Sequence, residues 1–141
     1  MSKEFGATHG FRSTDPDLSE KVKKLTKERG TDFGFEVVGI SETVNLCNSS
    51  MRKGGTAVLV GNLKPEVTIP LQKVVTTELS LLGSCAINGE YELVLDLLAQ
   101  RKISVDKMIS AVAPLSEGAS LFKRLYNKEP GLNKVILKPS P

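Results

Sequence analysis

The chain has 141 residues, 40% of them hydrophobic and 25% charged, with a net charge of +3. This is the composition of an ordinary globular protein and is enough for one domain or part of a larger one. The interspersed charges give no ground for a nucleic-acid or anionic-membrane partner, no apolar run is long enough to span a bilayer, and no apolar leader follows the polar opening Met1-Ser2-Lys3-Glu4, so the expected location is cytoplasmic.

Met1 to Phe5 reads as the last turn of a helix, with Gly6 as its left-handed cap. Ala7 to Phe11 is a short strand candidate. It carries the only histidine, His9, for which a surface or hydrogen-bonded role fits better than a ligand or proton shuttle. Asp15 then caps a helix with Pro16 in its first position. Leu18, Val22 and Leu25 form its apolar stripe, Lys21, Lys23, Lys24, Lys27, Glu28 and Arg29 face water, and Gly30 closes it.

The pattern is clearest between Gly30 and Gly61. Phe35 to Val38 and Ala57 to Val60 are apolar runs in stretches that each start after a glycine turn and stop at a glycine. Between them, Val44, Cys47 and Met51 recur at helical spacing across Ser41 to Lys53. Strand, helix, strand is the reading, and runs this continuously apolar predict a parallel sheet covered on both faces. Glycine where the strands end lets a ligand approach the main chain at the carboxyl edge, where open α/β sheets bind. Asp32 and Glu36 share the first strand without a convergent acid–base site, and Glu36 is expected to tie the strand to neighbouring elements.

After a loop at Asn62 to Pro65, Leu71, Val74 and Val75 predict a short helix and Glu78 to Gly83 a further strand. A helix starting at Asn88 or Gly89 carries Leu93, Val94, Leu97 and Leu98 on one face. Ile109 to Val112 is a strand candidate, and Ser116 caps a helix bearing Leu121, Phe122, Leu125 and Tyr126. Pro130-Gly131 makes a turn, and Val135 to Leu137 is a last strand ended by Pro139. Helix and strand alternate throughout, so the class is α/β. Cys47 and Cys85, the only cysteines, are far apart and outside any metal spacing, and are expected as buried, reduced thiols.

The string Thr31-Asp32-Phe33-Gly34-Phe35-Glu36-Val37-Val38-Gly39 resembles the fourth-strand signature of the zinc-type medium-chain alcohol dehydrogenases. Lys53-Gly54-Gly55 with Val58-Leu59-Val60-Gly61, then Glu78 to Ser84, then Ile109-Ser110 with Pro114-Leu115, are similar to the same family in the same order. Ile69-Pro70-Leu71 and Gly83-Ser84-Cys85 look closest to its polyol and threonine dehydrogenase branch. The resemblance covers essentially the whole chain and lies in the ordered set of motifs.

The resemblance implies a partial Rossmann fold, a doubly wound parallel sheet lacking its first two strands. Residues 1–85 would be the carboxy-terminal part of the dinucleotide-binding domain, and residues 86–141 the segment that packs on the catalytic domain. It also implies a coenzyme, NAD or NADP, at the boundary between the first and fourth strands of the order 3-2-1-4-5-6. Val38 and Gly39 would meet its adenosine side and ribose, Val60, Gly61 and Asn62 would line the nicotinamide, and Ser84 and Ala86 would hold the carboxamide. Lys134 falls where the family often has an arginine reaching the pyrophosphate, keeping charge but not bidentate geometry.

The family's zinc ligands, its glycine-rich turn and the acidic residue that holds the ribose have no counterpart in this sequence, so no metal ligand and no catalytic residue is expected here. Two functions follow. One is the carboxy-terminal part of an NAD(P)-dependent alcohol or polyol dehydrogenase, inactive alone and completed by an amino-terminal chain. The other is a non-enzymatic relic or interaction module. For the second, the resemblance implies self-association through the strand Glu78 to Gly83, which in the family commonly pairs with its twin across a two-fold axis.

Overall fold

The structure is a computed structural model that describes residues 2–139. Its contacts divide the chain into two compact units, one ending at Ile87 and the other beginning at Asn88.

The first unit opens with a 3₁₀ turn, Ser2–Phe5, closed by Gly6 at φ +92°. The Met1 end of the expected helix tail lies outside the described residues. No strand forms over Ala7 to Phe11, where His9 and Phe11 stack with ring centroids 6.3 Å apart. A strand needs a neighbouring strand for its amides and carbonyls, and no described strand pairs with this segment. Helix α1 (Leu18–Leu25) starts later than Pro16. The Asp15 carbonyl accepts the Leu18 amide, while the Asp15 and Asp17 carboxylates turn to Lys21 at 3.4 and 2.9 Å instead of capping the helix.

Strand β1 (Thr31–Glu36), helix α2 (Ser41–Ser50) and strand β2 (Met51–Leu59) form the expected unit, with β1 and β2 parallel. Helix α2 is shorter than the spacing of Met51 suggests. Met51 already pairs with Thr31, and the register then slips so that Phe33 faces Thr56. The slack between is taken up at Gly54, φ +69°. Helix α3 (Leu71–Thr76) leads to strand β3 (Ser80–Gly83), which starts after Glu78 because that residue sits at φ +53° in the preceding turn. The sheet order is β1-β2-β3, all parallel.

The two faces of this sheet differ, which corrects the expectation of cover on both. Gly34, Glu36 and Ala57 point toward α2: a Cβ on Gly34 would stand 2.5 Å from the Cys47 sulfur, and Ala57 is 0% exposed. On the other face Phe33, Phe35 and Val37 are 66%, 69% and 67% exposed, and Leu82, two strands away in line with Phe35 and Val58, is open as well. The thiols also depart from expectation. Cys47 is half-buried beneath β1, and Cys85, in the loop after β3, is exposed.

The second unit holds α4 (Tyr91–Ala99), β4 (Ile109–Pro114), α5 (Gly118–Tyr126) and β5 (Lys134–Lys138), with β4 and β5 a parallel pair. Helix α5 begins after a 3₁₀ turn, Leu115–Glu117, so Ser116 lies within that turn and does not cap the helix. Its Leu121 and Gly118 are buried, and Gly118 brings α5 close to the Leu137 side chain. The Ser110 hydroxyl accepts the Asn133 amide at 2.8 Å and fixes the start of β5. In α4 only Leu97 and Leu98 of the expected apolar face are half-buried, whereas Leu93 and Val94 are exposed.

Candidate functional site

The carboxyl ends of β1 and β2 meet at two glycines. Gly39, at φ +83°, adopts a conformation that side chains resist, and a Cβ there would lie 2.5 Å from the Asn62 nitrogen. A Cβ on Gly61 would overlap the main chain of Val38 and Gly39. The two turns are therefore in backbone contact, and hydrogen bonds hold them. The Glu36 carbonyl accepts the Val60 and Gly61 amides at 2.8 and 2.9 Å, and the Val38 and Gly39 carbonyls accept those of Leu63 and Lys64 at 3.2 and 3.0 Å. Beyond β3, the Ser84 amide donates to the Leu59 carbonyl at 3.0 Å.

One buried carboxylate organises the first turn. Glu36 ends β1 at 3% exposure. It accepts the Val38 amide at 2.9 Å, the Gly39 amide at 3.0 Å and the Thr43 hydroxyl of α2 at 2.7 Å. Burial works to raise its pKa, but the bonds from Gly39, Thr43 and Val38 together outweigh it and hold the carboxyl below its ordinary range. Burial and the negative Glu36 push the Cys47 thiol the other way, upward. Ending the strand at Glu36 is what turns Val38 and Gly39 out of the expected apolar run and into a loop.

Of the residues expected to bind coenzyme, Val38, Gly39, Val60, Gly61 and Asn62 come together in these paired turns, with Ser84 joined to the end of β2 through Leu59. Val38, Val60, Asn62 and Ser84 are exposed along the edge. Ala86 follows in the exposed loop at φ +53°. Lys134 belongs to the second unit, exposed at the start of β5 and paired in register with Ile109. A groove of about 310 Å³ runs beside the unpaired edge of β1, lined by Phe33, Phe35, Val38, Leu46 and Cys47 among others. Sequence reasoning did not single out Thr43. Its place one turn into a helix that follows a strand-ending glutamate is the signal that could have found it.

Main-chain groups and small exposed side chains at a carboxyl edge suit one wall of a dinucleotide site. Among the described residues no group of three or more His, Cys, Asp or Glu could hold a metal ion. Nor is any described helix long and apolar enough to cross a membrane.

Residues 1–100 match the family model described as zinc-binding dehydrogenase. The chain is 28% identical over 99% of its length to a probable D-xylulose reductase A of Emericella nidulans, covering 40% of that protein. It is 32% identical over 78% of its length to an L-idonate 5-dehydrogenase of Vitis vinifera, covering 31% of that one. The fold superposes on a zinc-dependent alcohol dehydrogenase 2 from Streptococcus pneumonia with a TM-score of 0.91 and 26% identity, covering 99% of this chain and 41% of that one. The chain thus spans about 40% of the length of such relatives. With its parallel sheet and glycine-paired strand ends, the chain belongs to the zinc-binding dehydrogenase family, as a carboxy-terminal part of the medium-chain dehydrogenase fold.

Proposed function

We propose that this chain is the carboxy-terminal, coenzyme-facing portion of an NAD(P)-dependent alcohol or polyol dehydrogenase. The observation that carries the reading is the contact of Gly39 with Gly61 and Asn62, which clears main chain at the carboxyl edge of a parallel sheet in a chain of this family. Val38 and Gly39 then take the adenosine side and ribose. Val60, Gly61 and Asn62 line the nicotinamide, and Ser84 and Ala86 the carboxamide. When bound, NAD or NADP supplies a nicotinamide carbon that accepts or gives hydride. The residues here bind and orient it and exclude water from one side.

The substrate pole is outside this chain's reach. Among the described residues no metal-holding group is present to polarise an alcohol oxygen, and a complementary amino-terminal polypeptide is proposed to supply it, the chain alone being inactive. Calorimetric titration with NADH should show weak affinity, in the millimolar range typical of a few good contacts, about −4 kcal/mol. Adding the amino-terminal portion of a D-xylulose reductase should tighten binding and restore polyol oxidation. Tight binding by the chain alone, or no hydride transfer after complementation, would contradict the reading.

A second reading, a non-enzymatic interaction module, is favoured by one observation: the open apolar face of Phe33, Phe35, Val37 and Leu82. Strand β3 is an edge of the same sheet, and self-association through it accords with either reading. A proline at Leu81 should dissociate the oligomer on size exclusion. An oligomer that survives Leu81→Pro would exclude this edge.

A further inference from the structure

The turn from β1 into α2 is an anion pocket that already contains an anion. Two successive amides, Val38 and Gly39, and the Thr43 hydroxyl converge on the Glu36 side chain, which is 3% exposed. Gly39 donates to both carboxylate oxygens, at 3.0 Å each. Convergent amides where a strand turns into a helix are the arrangement with which proteins hold phosphate oxygens. Here the protein's own carboxylate consumes those donors and leaves a fixed negative charge at the strand end.

We propose that Glu36 is a specificity-determining and positioning residue of the edge: it excludes phosphate groups from the end of β1. It thereby reserves the exposed Val38 and the main chain beside it for an uncharged part of a dinucleotide, a ribose or base. The proposal rests on the dinucleotide reading of this edge and deepens it. A phosphate charge about 6 Å from a carboxylate, at an effective dielectric constant of about 20, loses roughly a hundredfold in affinity. A residue that only braced the turn would have no such effect on which ligand groups are accepted.

The test uses the chain with Glu36→Ala and Glu36→Gln, and three probes: inorganic phosphate, formate and NADH. Glu36→Ala opens the pocket, so formate should raise its melting temperature well beyond any effect on the wild type or of sodium chloride at equal ionic strength. Glu36→Gln keeps the volume and one acceptor and therefore guards against a variant that fails to fold. It should gain at least tenfold in phosphate affinity, with the amide signals of Val38 and Gly39 shifting as phosphate is added. Phosphate acting equally on wild type and Glu36→Gln, or formate acting equally on wild type and Glu36→Ala, overturns the proposal. If the variants gain anion binding while the wild type ignores NADH, the dinucleotide reading fails and the anion pocket stands. If the wild type binds NADH and neither variant gains an anion, the dinucleotide reading stands and the exclusion of phosphate by Glu36 fails.

Discussion

The two faces of the β1-β2-β3 sheet follow opposite rules. On the α2 face the side chains are small or fully bonded: Gly34 makes room for the Cys47 sulfur, Ala57 is sealed, and Glu36 has every near donor in use. On the other face the same strands present Phe33, Phe35, Val37 and Leu82 to solvent. Neighbouring strands that turn glycine and alanine toward a helix while exposing phenylalanine are written for a sheet with a further layer. Parallel sheets generally carry cover on both sides. The relatives, of which this chain spans about 40%, have the additional length from which such a layer could come.

The sharpest way to break this contrast is at the closed edge. Gly61→Val should be the most damaging single change, because its side chain would overlap the main chain of Val38 and Gly39. A loss of about 3 kcal/mol or more, read as a lower urea midpoint, is expected. Ala57→Leu, on the sealed face, should cost about 1–3 kcal/mol by overpacking. On the open face Phe35→Ser should change stability by less than about 0.5 kcal/mol, read from the same urea midpoint. Equal destabilisation by Ala57→Leu and Phe35→Ser would mean that the open face is covered within this chain.

The pH dependence separates the faces further. Glu36 is held below its ordinary carboxyl value in the fold and returns to that value, 4.5, on unfolding. Its contribution is therefore complete above pH 4.5 and is lost as pH falls through the lower folded-state value. Acid unfolding of Glu36→Gln should lack that step, and identical acid profiles would contradict the clamp. The thiols offer a chemical test. Exposed Cys85 should react with a disulfide reagent at least tenfold faster than Cys47, whose thiol is half-buried with a raised pKa.

The order of elements was legible in the sequence because apolar runs bounded by glycine report strands directly. Gly39 and Gly61 were legible as the stops of those runs, but their main-chain contact was not, because it needs both strands in place. What the sequence could not show were features needing a neighbour. Ala7 to Phe11 has strand-like residues but no strand beside it, and Cys85 looks buried only if something lies over its loop. Continuous apolarity from Phe35 to Val38 hid the strand's true end, because the Glu36 carboxylate, which turns the chain, is counted by periodicity as one polar residue among many. Met51 fell on the helical spacing of Val44 and Cys47 yet pairs with Thr31, since a strand can begin on the residue after a helix ends.

The ligand proposed for the carboxyl edge of this sheet is a nicotinamide dinucleotide. Amide chemical-shift mapping of the isotopically labelled chain during titration with millimolar NADH tests it most directly. Shifts should concentrate at Val38, Gly39, Val60, Gly61, Asn62 and Ser84. Shifts absent from those amides, or largest along the open face at Phe33 and Phe35, would contradict it.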